Sequence, residues 1–243
     1  MKTKKLIVNA DDFGQSEGIN QGIIKTYEQG IVTSASLMVR YPAAKEAAKY
    51  SKKNSRLGIG LHVDFGEWAY KDDSWQPLYE VVDIKDITAV EREIKRQLKS
   101  FYNIMGTQPT HIDSHQHVHW NETICPLFIE IAKALNITLR RCSEVVNYCG
   151  DFYGQCEDGS PFHSAISVSS LLNTISNLPE GITELACHPG LDNNIETMYK
   201  IEREMEVDTL CDPAINETIA NSNIELCTFA GIPFSNLTSY HKV

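Results

Sequence analysis

The sequence lacks the positive charge that binding to nucleic acids or membranes requires. Its 22 lysine and arginine residues are outnumbered by 32 aspartate and glutamate residues, which gives a formal net charge of −10. A protein with this balance has little electrostatic attraction for nucleic acid phosphates or for an anionic membrane surface. We therefore expect neither a nucleic acid nor a membrane as a partner.

Long hydrophobic runs are also absent. No stretch approaches the roughly 20 apolar residues that a membrane-spanning helix requires. The apolar run after the N-terminal lysines covers only Leu6–Val8 and is followed by Asp11 and Asp12, so it is too short for the core of a signal peptide. These observations predict a cytoplasmic protein.

The seven cysteines include no Cys-x-x-Cys pair. Cys142, Cys149 and Cys156 are evenly spaced but lie too far apart to resemble a zinc knuckle. We interpret the cysteines as reduced structural thiols, as expected in the cytoplasm.

What the sequence does contain is a regular alternation of strand-like and helix-like segments. With 243 residues and 42% hydrophobic content it can bury one sizeable core, and we predict a single domain over residues 1–243. The predicted strands cover residues 5–10, 32–39, 57–63, 110–114, 137–141, 182–187 and 225–229. The predicted helices cover residues 16–29, 42–53, 87–105, 123–135 and 168–178, with further helical sequence across 198–220. Residues 64–84 and 143–163 show no clean period and are interpreted as long irregular segments.

This alternation predicts an α/β fold with parallel strands and right-handed crossovers. No Gly-x-Gly-x-x-Gly follows the first strand, which argues against a dinucleotide-binding sheet. Seven strands with long loops at their carboxyl ends favour a (β/α) barrel that is incomplete and has seven strands. In such barrels the chemistry lies on the loops that follow the strands.

Ionisable residues lie at the ends of four predicted strands. They are Asp11 and Asp12 after the first strand, His62 at the end of the third, the run HIDSHQHVH (residues 111–119) around the end of the fourth, and His188 after the sixth. Because the carboxyl ends of parallel strands share one face of a barrel, we expect these side chains to meet.

A carboxylate and two imidazoles from this set would bind one divalent metal ion and leave positions open for water and substrate. Two imidazoles suit zinc, cobalt or iron better than magnesium, which prefers oxygen ligands. A second carboxylate beside the metal could take a proton from water, and a histidine across the site could protonate a leaving nitrogen. The adjacent aspartates of the first strand can divide these tasks, one as ligand and one as base.

Three other functions compete with this hypothesis. The DFG of NADDFG is also found in protein kinases, but the chain has no glycine-rich loop, strand lysine or HRD motif. A metal-dependent glycosidase would need two carboxylates flanking the bond, for which Asp11 with Asp64 or Asp113 could serve, although the histidines would then be unexplained. A sugar- or metal-binding module without catalysis is compatible with the same fold.

Six segments of the chain resemble one family, in the same order along nearly its whole length. The segments are IVNADDFG, GINQGI, GIVTSASLMV, GLHVDF, PTHIDSHQHVH and ACHPG. They resemble the YdjC-like carbohydrate deacetylases, which include the chitooligosaccharide deacetylases of the ChbG type. The resemblance implies a (β/α) barrel similar to that of NodB-type polysaccharide deacetylases, removal of an acetyl group from an N-acetylated sugar, and a homodimer.

The resemblance also implies roles for individual residues. Asp12, His62 and His115 would be the metal ligands, Asp11 the general base, and His188 the acid or oxyanion stabiliser. The family implies magnesium, whereas the ligand set is chemically suited to zinc.

Aromatic residues are the candidates for contact with the sugar. Trp68, Tyr70 and Trp75 lie in the segment 64–84 and could stack on sugar rings. We also assign Phe13, beside the aspartate pair, to the substrate-binding set. The substrate would be an oligosaccharide containing N-acetylglucosamine, with or without a phosphate group.

Overall fold

The computed structural model describes residues 4–191 and 197–235 and is built around one curved parallel sheet. Its strands are β1 (Lys4–Phe13), β2 (Ser34–Leu37), β3 (Gly58–Val63), β6 (His111–Ser114), β7 (Thr138–Leu139), β8 (Val146–Cys149), β9 (Gly181–Cys187) and β10 (Ile224–Leu226). Seven of them lie in the order β7-β6-β3-β2-β1-β9-β8, while β10 pairs with the start of β1. Every pairing in this sheet is parallel. The predicted α/β class and incomplete seven-stranded barrel are confirmed.

Seven α-helices connect or follow these strands within the described residues. They are α1 (Glu17–Gln29), α2 (Ala44–Lys53), α3 (Ile87–Met105), α4 (Cys125–Leu135), α5 (Val168–Ser176), α6 (Ile201–Leu210) and α7 (Pro213–Ala220). Short 3-10 helices cover His115–Trp120 and His163–Ile166. None of these helices has the length and apolar character needed to cross a bilayer, as far as the described residues go.

Local sequence signals account for the ends of several helices. The Ser16 side chain accepts a hydrogen bond from the backbone N–H of Ile19 and so caps the start of α1. The Asp86 side chain caps α3 in the same way. At the other end of α3 Gly106 adopts a left-handed φ of 76°, which glycine reaches without a steric penalty. The bounds predicted for α3 agree with the structure.

The central strands are buried on both faces. All ten residues of β2 and β3 are buried, as expected for parallel strands covered by helices. The main hydrophobic core packs strand residues such as Leu6, Val8 and Leu61 against apolar helix residues such as Ile94 and Phe128.

The segment 64–84, predicted to be a long loop, contains an antiparallel hairpin instead. Its strands are β4 (Gly66–Lys71) and β5 (Ser74–Glu80). The pairing shifts register between Glu67 and Trp68, and such a bulge interrupts the two-residue alternation by which a strand is recognised in sequence. Pro77 also argues against a strand in the sequence, because proline has no backbone N–H to donate to a neighbouring strand.

The segment 143–163 also differs from its prediction. It is irregular for most of its length, but Val146–Cys149 forms β8 and pairs with β9. The sequence VNYC is short and is flanked on both sides by residues without a clean period, so no strand was recognised there.

A second bulge lies in β1. Asn9 and Ala10 pair with Ser34 and Ala35, after which the register shifts before Phe13 meets Leu37. Asp11 and Asp12 occupy this irregularity, and Asp12 has a left-handed φ of 67°. Because a bulge redirects the side chains of a strand, both carboxylates reach the same end of the sheet.

Candidate metal centre

Asp12, His62 and His115 form a buried cluster at the carboxyl ends of the central strands. Asp12 Oδ1 lies 2.9 Å from His115 Nδ1 and 3.4 Å from His62 Nε2. One ligand atom from each residue lies within 4.8 Å of the others. The three residues predicted as metal ligands are therefore brought together.

The electrostatics of the cluster fit a cation. Burial alone would raise the pKa of Asp12, but the neighbouring His115 and Arg203 hold that pKa well below its usual range, so the carboxyl is ionised. His115 Nε2 is buried and, within residues 4–191 and 197–235, has no hydrogen-bond partner. An ionised carboxylate and two imidazoles are a donor set that divalent metals of the zinc type accept, and we conclude that the residues fit such an ion.

Residues behind the cluster fix the orientation of two ligands. His62 Nδ1 lies 2.8 Å from Asp113 Oδ1, which directs His62 Nε2 toward Asp12. Arg203 Nη2 donates to Asp12 Oδ2 over 2.6 Å, so Oδ1 is the oxygen that faces the histidines. Carboxylate partners of this kind set the tautomer and the orientation of metal-binding histidines.

Asp11 has different partners from its neighbour Asp12. Its Oδ1 accepts hydrogen bonds from Arg140 Nη1 at 2.7 Å and from Asn9 Nδ2 at 2.8 Å. Its Oδ2 lies 3.7 Å from His188 Nε2. One oxygen of Asp11 is thus fixed from behind, while the other faces the cavity beside His188.

Arg140 is a fully buried cation that joins several strand ends. Besides Asp11 it donates to Glu184 Oε1 at 2.6 Å and to Asp113. The three carboxylates together hold the pKa of Arg140 well above its usual value despite burial. A permanent positive charge therefore lies directly behind Asp11 Oδ1.

His188 lies at the edge of the cavity with its side chain 20% exposed. Its backbone N–H donates to Glu206 Oε2 at 2.5 Å, and its carbonyl accepts from Arg203. The rings of Tyr153 and Tyr199 both pack edge-on against its imidazole. Burial lowers the pKa of His188 to about 4, so the imidazole is neutral near pH 7.

The cluster opens into a cavity of about 560 Å³, a size typical of small-molecule sites. Asp11, Asp12, His62, His115 and His188 all line it. So do the aromatic side chains Trp68, Trp75, Tyr148, Phe152, Tyr153 and Tyr199. The wall is therefore polar at the strand ends and aromatic around them.

Two residues predicted to contact the substrate lie elsewhere. Phe13 is fully buried in the main hydrophobic core and is not part of the cavity wall, so its assignment to the substrate-binding set is corrected: the β1 bulge directs its ring inward. Tyr70 does not line the cavity either, but its ring packs edge-on against Trp75 at 5.7 Å. Of the four aromatic candidates, Trp68 and Trp75 line the cavity.

The remaining histidines of the run 111–119 have other surroundings. His111 is buried against Ser36 and Phe229, and burial lowers its pKa to about 3. His119 is buried, with its ring nitrogens facing Ser114 and the carbonyl of Arg140. His117 lines the cavity, but it is not part of the metal cluster.

Four charged residues of the site were not predicted. Arg203 and Glu206 come from α6, Glu67 comes from β4, and Arg140 follows β7. Single charged residues on a helix or a hairpin have no pattern that distinguishes them from surface charges. Arg140 could have been found, because it lies near the carboxyl end of the predicted strand 137–141, at the same end as the histidines.

Comparison with known proteins adds independent observations. The family model described as "YdjC-like protein" matches residues 5–221. A carbohydrate deacetylase of Geobacillus stearothermophilus is 32% identical, over 92% of this chain and 96% of that protein. A chitooligosaccharide deacetylase of Enterobacter sp. (strain 638) is 30% identical, over 93% of this chain and 98% of that protein.

Two solved structures share the fold. A protein of Enterococcus faecalis V583, provisionally assigned as a cellobiose-phosphate cleavage protein, superposes with a TM-score of 0.78 at 24% identity, over 96% of this chain and 100% of that chain. A family 4 carbohydrate esterase of Streptomyces lividans, solved with acetate, has a TM-score of 0.57 at 13% identity, over 94% of this chain and 93% of that chain. The second similarity confirms the predicted NodB-type fold.

Proposed function

Because the chain belongs to the YdjC-like family, we propose that it is a metal-dependent hydrolase that removes the acetyl group from an N-acetylated sugar. The observation that carries the proposal is the buried Asp12–His62–His115 cluster, with Asp11 and His188 beside it at the mouth of one cavity. The curated relatives named as carbohydrate and chitooligosaccharide deacetylases support it.

Asp12, His62 and His115 would hold one divalent ion. When bound, such an ion supplies Lewis acidity, which polarises the acetyl carbonyl and lowers the pKa of an attacking water. The two imidazoles favour Zn²⁺ or Co²⁺ over Mg²⁺ on chemical grounds, although Mg²⁺ is the ion expected from the family resemblance. Asp113 and Arg203 keep the ligands oriented.

Asp11 is the general base of the proposed reaction. The hydrogen bonds from Arg140 and Asn9 fix its Oδ1, which leaves Oδ2 to take a proton from water. The water oxygen forms a bond to the acetyl carbon, the carbon–nitrogen bond breaks, and the oxygen leaves in acetate.

His188 returns the proton to the sugar nitrogen. Its Nε2 lies 3.7 Å from Asp11 Oδ2, so a proton taken by Asp11 can pass to His188 and then to the departing amine. The neutral form of His188 suits this task, because it must first accept the proton. The reaction consumes one water and the acetamido group and yields acetate and a free amine, so it needs no further reagent.

Trp68 and Trp75 would provide the platform for sugar rings. Both line the cavity, and Trp75 is 54% exposed, which is compatible with stacking against a ring outside the catalytic end. The substrate class is an oligosaccharide containing N-acetylglucosamine, such as a chitooligosaccharide, with a phosphorylated form as the second candidate. Arg141, which lines the cavity, could contact such a phosphate.

The glycosidase hypothesis is less well supported. Asp113 is fully buried and contacts Arg140 and His62, and Asp64 is fully buried and paired with Arg40. Neither carboxylate is free to act with Asp11 on opposite sides of a glycosidic bond.

Product analysis tests the proposed function. Purified protein, stripped of metal and then reloaded, is incubated with N-acetylglucosamine oligomers with and without phosphate, and acetate and reducing ends are both measured. We expect acetate release that a chelator abolishes. New reducing ends without acetate would indicate a glycosidase, and sugar binding without either product would indicate a binding module.

A cytoplasmic location, a homodimer and a single deacetylase domain over residues 1–243 stay predictions. Gel filtration with light scattering measures the oligomeric state directly.

A further inference from the structure

The β4–β5 hairpin places one buried carboxylate beside the proposed metal site. Glu67 is 5% exposed and lines the same cavity as Asp12, His62 and His115. A carboxylate that is removed from water requires a compensating partner. The groups around the Glu67 carboxylate therefore indicate with which residue it interacts.

Glu67 faces the side chain of Thr197, which hydrogen-bonds to it, and the second nitrogen of His115. His115 Nδ1 lies 2.9 Å from Asp12 Oδ1, whereas its Nε2 is buried without a hydrogen-bond partner among the residues that the structure describes. Glu67 Oε2 lies 4.0 Å from that Nε2. This separation is beyond hydrogen-bonding range, so the two groups lie close together without a hydrogen bond in this structure.

The other histidine of the cluster, His62, has a carboxylate next to each of its two ring nitrogens. His62 turns Nε2 toward Asp12 at 3.4 Å and Nδ1 toward Asp113 at 2.8 Å. Each histidine thus lies between Asp12 and a second carboxylate. The partner of His62 comes from the barrel, and that of His115 comes from the hairpin.

A pair of hydrogen bonds holds the hairpin against the metal-binding loop. The backbone N–H of Trp68 donates to Gln116 Oε1 at 2.9 Å, and Gln116 Nε2 donates to the Trp68 carbonyl at 2.8 Å. Gln116 directly follows His115, and Trp68 directly follows Glu67. The pair therefore fixes the distance between the glutamate and the histidine.

The hairpin backbone is adapted to present Glu67 inward. Glu67 pairs with Tyr79 but Trp68 pairs with Pro77, so Leu78 is bulged. Glu67 and Trp68 both line the cavity next to this bulge, although consecutive strand residues normally face opposite sides. Gly66 precedes them with a φ of 148°, where an added Cβ would lie 2.6 Å from the Tyr79 carbonyl oxygen.

We propose that Glu67 is a positioning residue for the metal ligand His115, accepting a hydrogen bond from Nε2 while Nδ1 binds the ion. The inference rests on the proposed function, since it presupposes metal binding by His115. A carboxylate in this position fixes the tautomer of the histidine and makes it a stronger ligand. Glu67 itself does not touch the ion.

Metal affinity tests this role without any use of activity. Metal-free wild type, Glu67→Gln and Glu80→Gln are titrated with Zn²⁺ in competition with a chromophoric chelator. Glu80 is an exposed carboxylate on the same hairpin and serves as the matched control. We expect Glu67→Gln to weaken Zn²⁺ binding by about 10- to 100-fold, and Glu80→Gln to leave it within twofold of wild type.

Co²⁺ spectra and urea unfolding distinguish a positioning role of Glu67 from a role as metal ligand and from a general effect on stability. The visible absorption of bound Co²⁺ should keep its intensity in Glu67→Gln, because the number of ligands is unchanged. A changed intensity of the Co²⁺ absorption would overturn the proposal, because it would show that Glu67 is itself a ligand. A Zn²⁺ affinity of Glu67→Gln equal to that of wild type would also overturn it, because Glu67 would then have no role in metal binding. A weakened affinity that matches a loss of stability in the metal-free variant would mean general destabilisation and also overturn it.

The wild-type titration distinguishes this inference from the function on which it rests. If wild-type protein binds no metal, the proposed function itself fails, and the inference fails with it. If wild type binds metal and Glu67→Gln binds it equally well, only the inference fails.

Discussion

At the scale of single residues, two adjacent aspartates have been given different environments. Asp11 contacts Arg140 and Asn9, whereas Asp12 contacts His115 and Arg203. The left-handed backbone of Asp12 makes this division possible, and strained backbone of this kind is concentrated at functional sites. These different contacts support the proposal that Asp11 and Asp12 have different roles, one as base and one as metal ligand.

Substitution of each aspartate should separate these functions. Asp11→Asn should lower kcat by at least about 100-fold, because the base is lost, while bound metal stays near one ion per chain. Asp12→Asn should lose both metal and activity, since it removes a ligand. Kinetics and metal analysis of the same preparations measure the two effects, and loss of metal from Asp11→Asn would reassign Asp11 as a ligand.

At the scale of secondary-structure elements, α6 brings two charged residues to the site. Arg203 reaches Asp12, and Glu206 accepts hydrogen bonds from the backbone N–H of His188 and from the Tyr199 hydroxyl. Burial raises the pKa of Glu206 to about 8. The helix thus contacts the proposed metal ligand Asp12 and the proposed catalytic residue His188 through one face.

The raised pKa predicts how stability depends on pH. The folded state holds the Glu206 proton up to about pH 8, while the unfolded state releases it near pH 4.3. Stability from this proton is therefore complete at acid pH and is lost as the pH rises through that window. Relative to Glu206→Gln, wild type should lose stability by at most about 1.4 kcal/mol per pH unit between those values.

Urea unfolding of both proteins at a series of pH values measures this difference. Other titrating groups are common to wild type and variant, so they cancel in the comparison. A difference that does not change between pH 5 and 8 would contradict the raised pKa of Glu206.

The hairpin is the second element that completes the site. Trp68→Ala should raise KM by about 2- to 12-fold, the effect of losing about 0.5–1.5 kcal/mol of aromatic contact, and should leave kcat within a few-fold. Tyr102→Ala, at a partly exposed aromatic residue of α3 outside the cavity wall, is the control. Steady-state kinetics on a chitooligosaccharide measure both, and an unchanged KM for Trp68→Ala would remove Trp68 from the sugar platform.

Elements differ in how well the sequence predicted them. Strands and helices with a regular period were found, and α3 matched at both ends because Asp86 and Gly106 are strong boundary signals. The hairpin was missed because its bulge breaks the alternation. The strand β8 was missed because Val146–Cys149 lies within an otherwise irregular segment. Irregular pairing is decided by tertiary contacts, which a local pattern does not contain.

At the scale of the whole molecule, the parallel topology creates the site. Strands distant in sequence end at one edge of the sheet, so Asp12, His62 and His115 meet although they are separated by up to 103 residues. That convergence could be predicted from the strand-end rule. The supporting charges of Arg203, Glu206 and Glu67 could not, because they reach the site from a helix and a hairpin.

The central claim is that these three strand-end residues hold one divalent ion that acetyl removal requires. Its most direct test is a titration of metal-free protein with Zn²⁺ or Co²⁺ while acetate release from an N-acetylglucosamine oligomer is followed. We predict that the rate of acetate release rises in proportion to added metal and reaches a plateau at one ion per chain. In His62→Ala the rate should not rise. Acetate release that is independent of metal, or no release at any metal concentration, would contradict it.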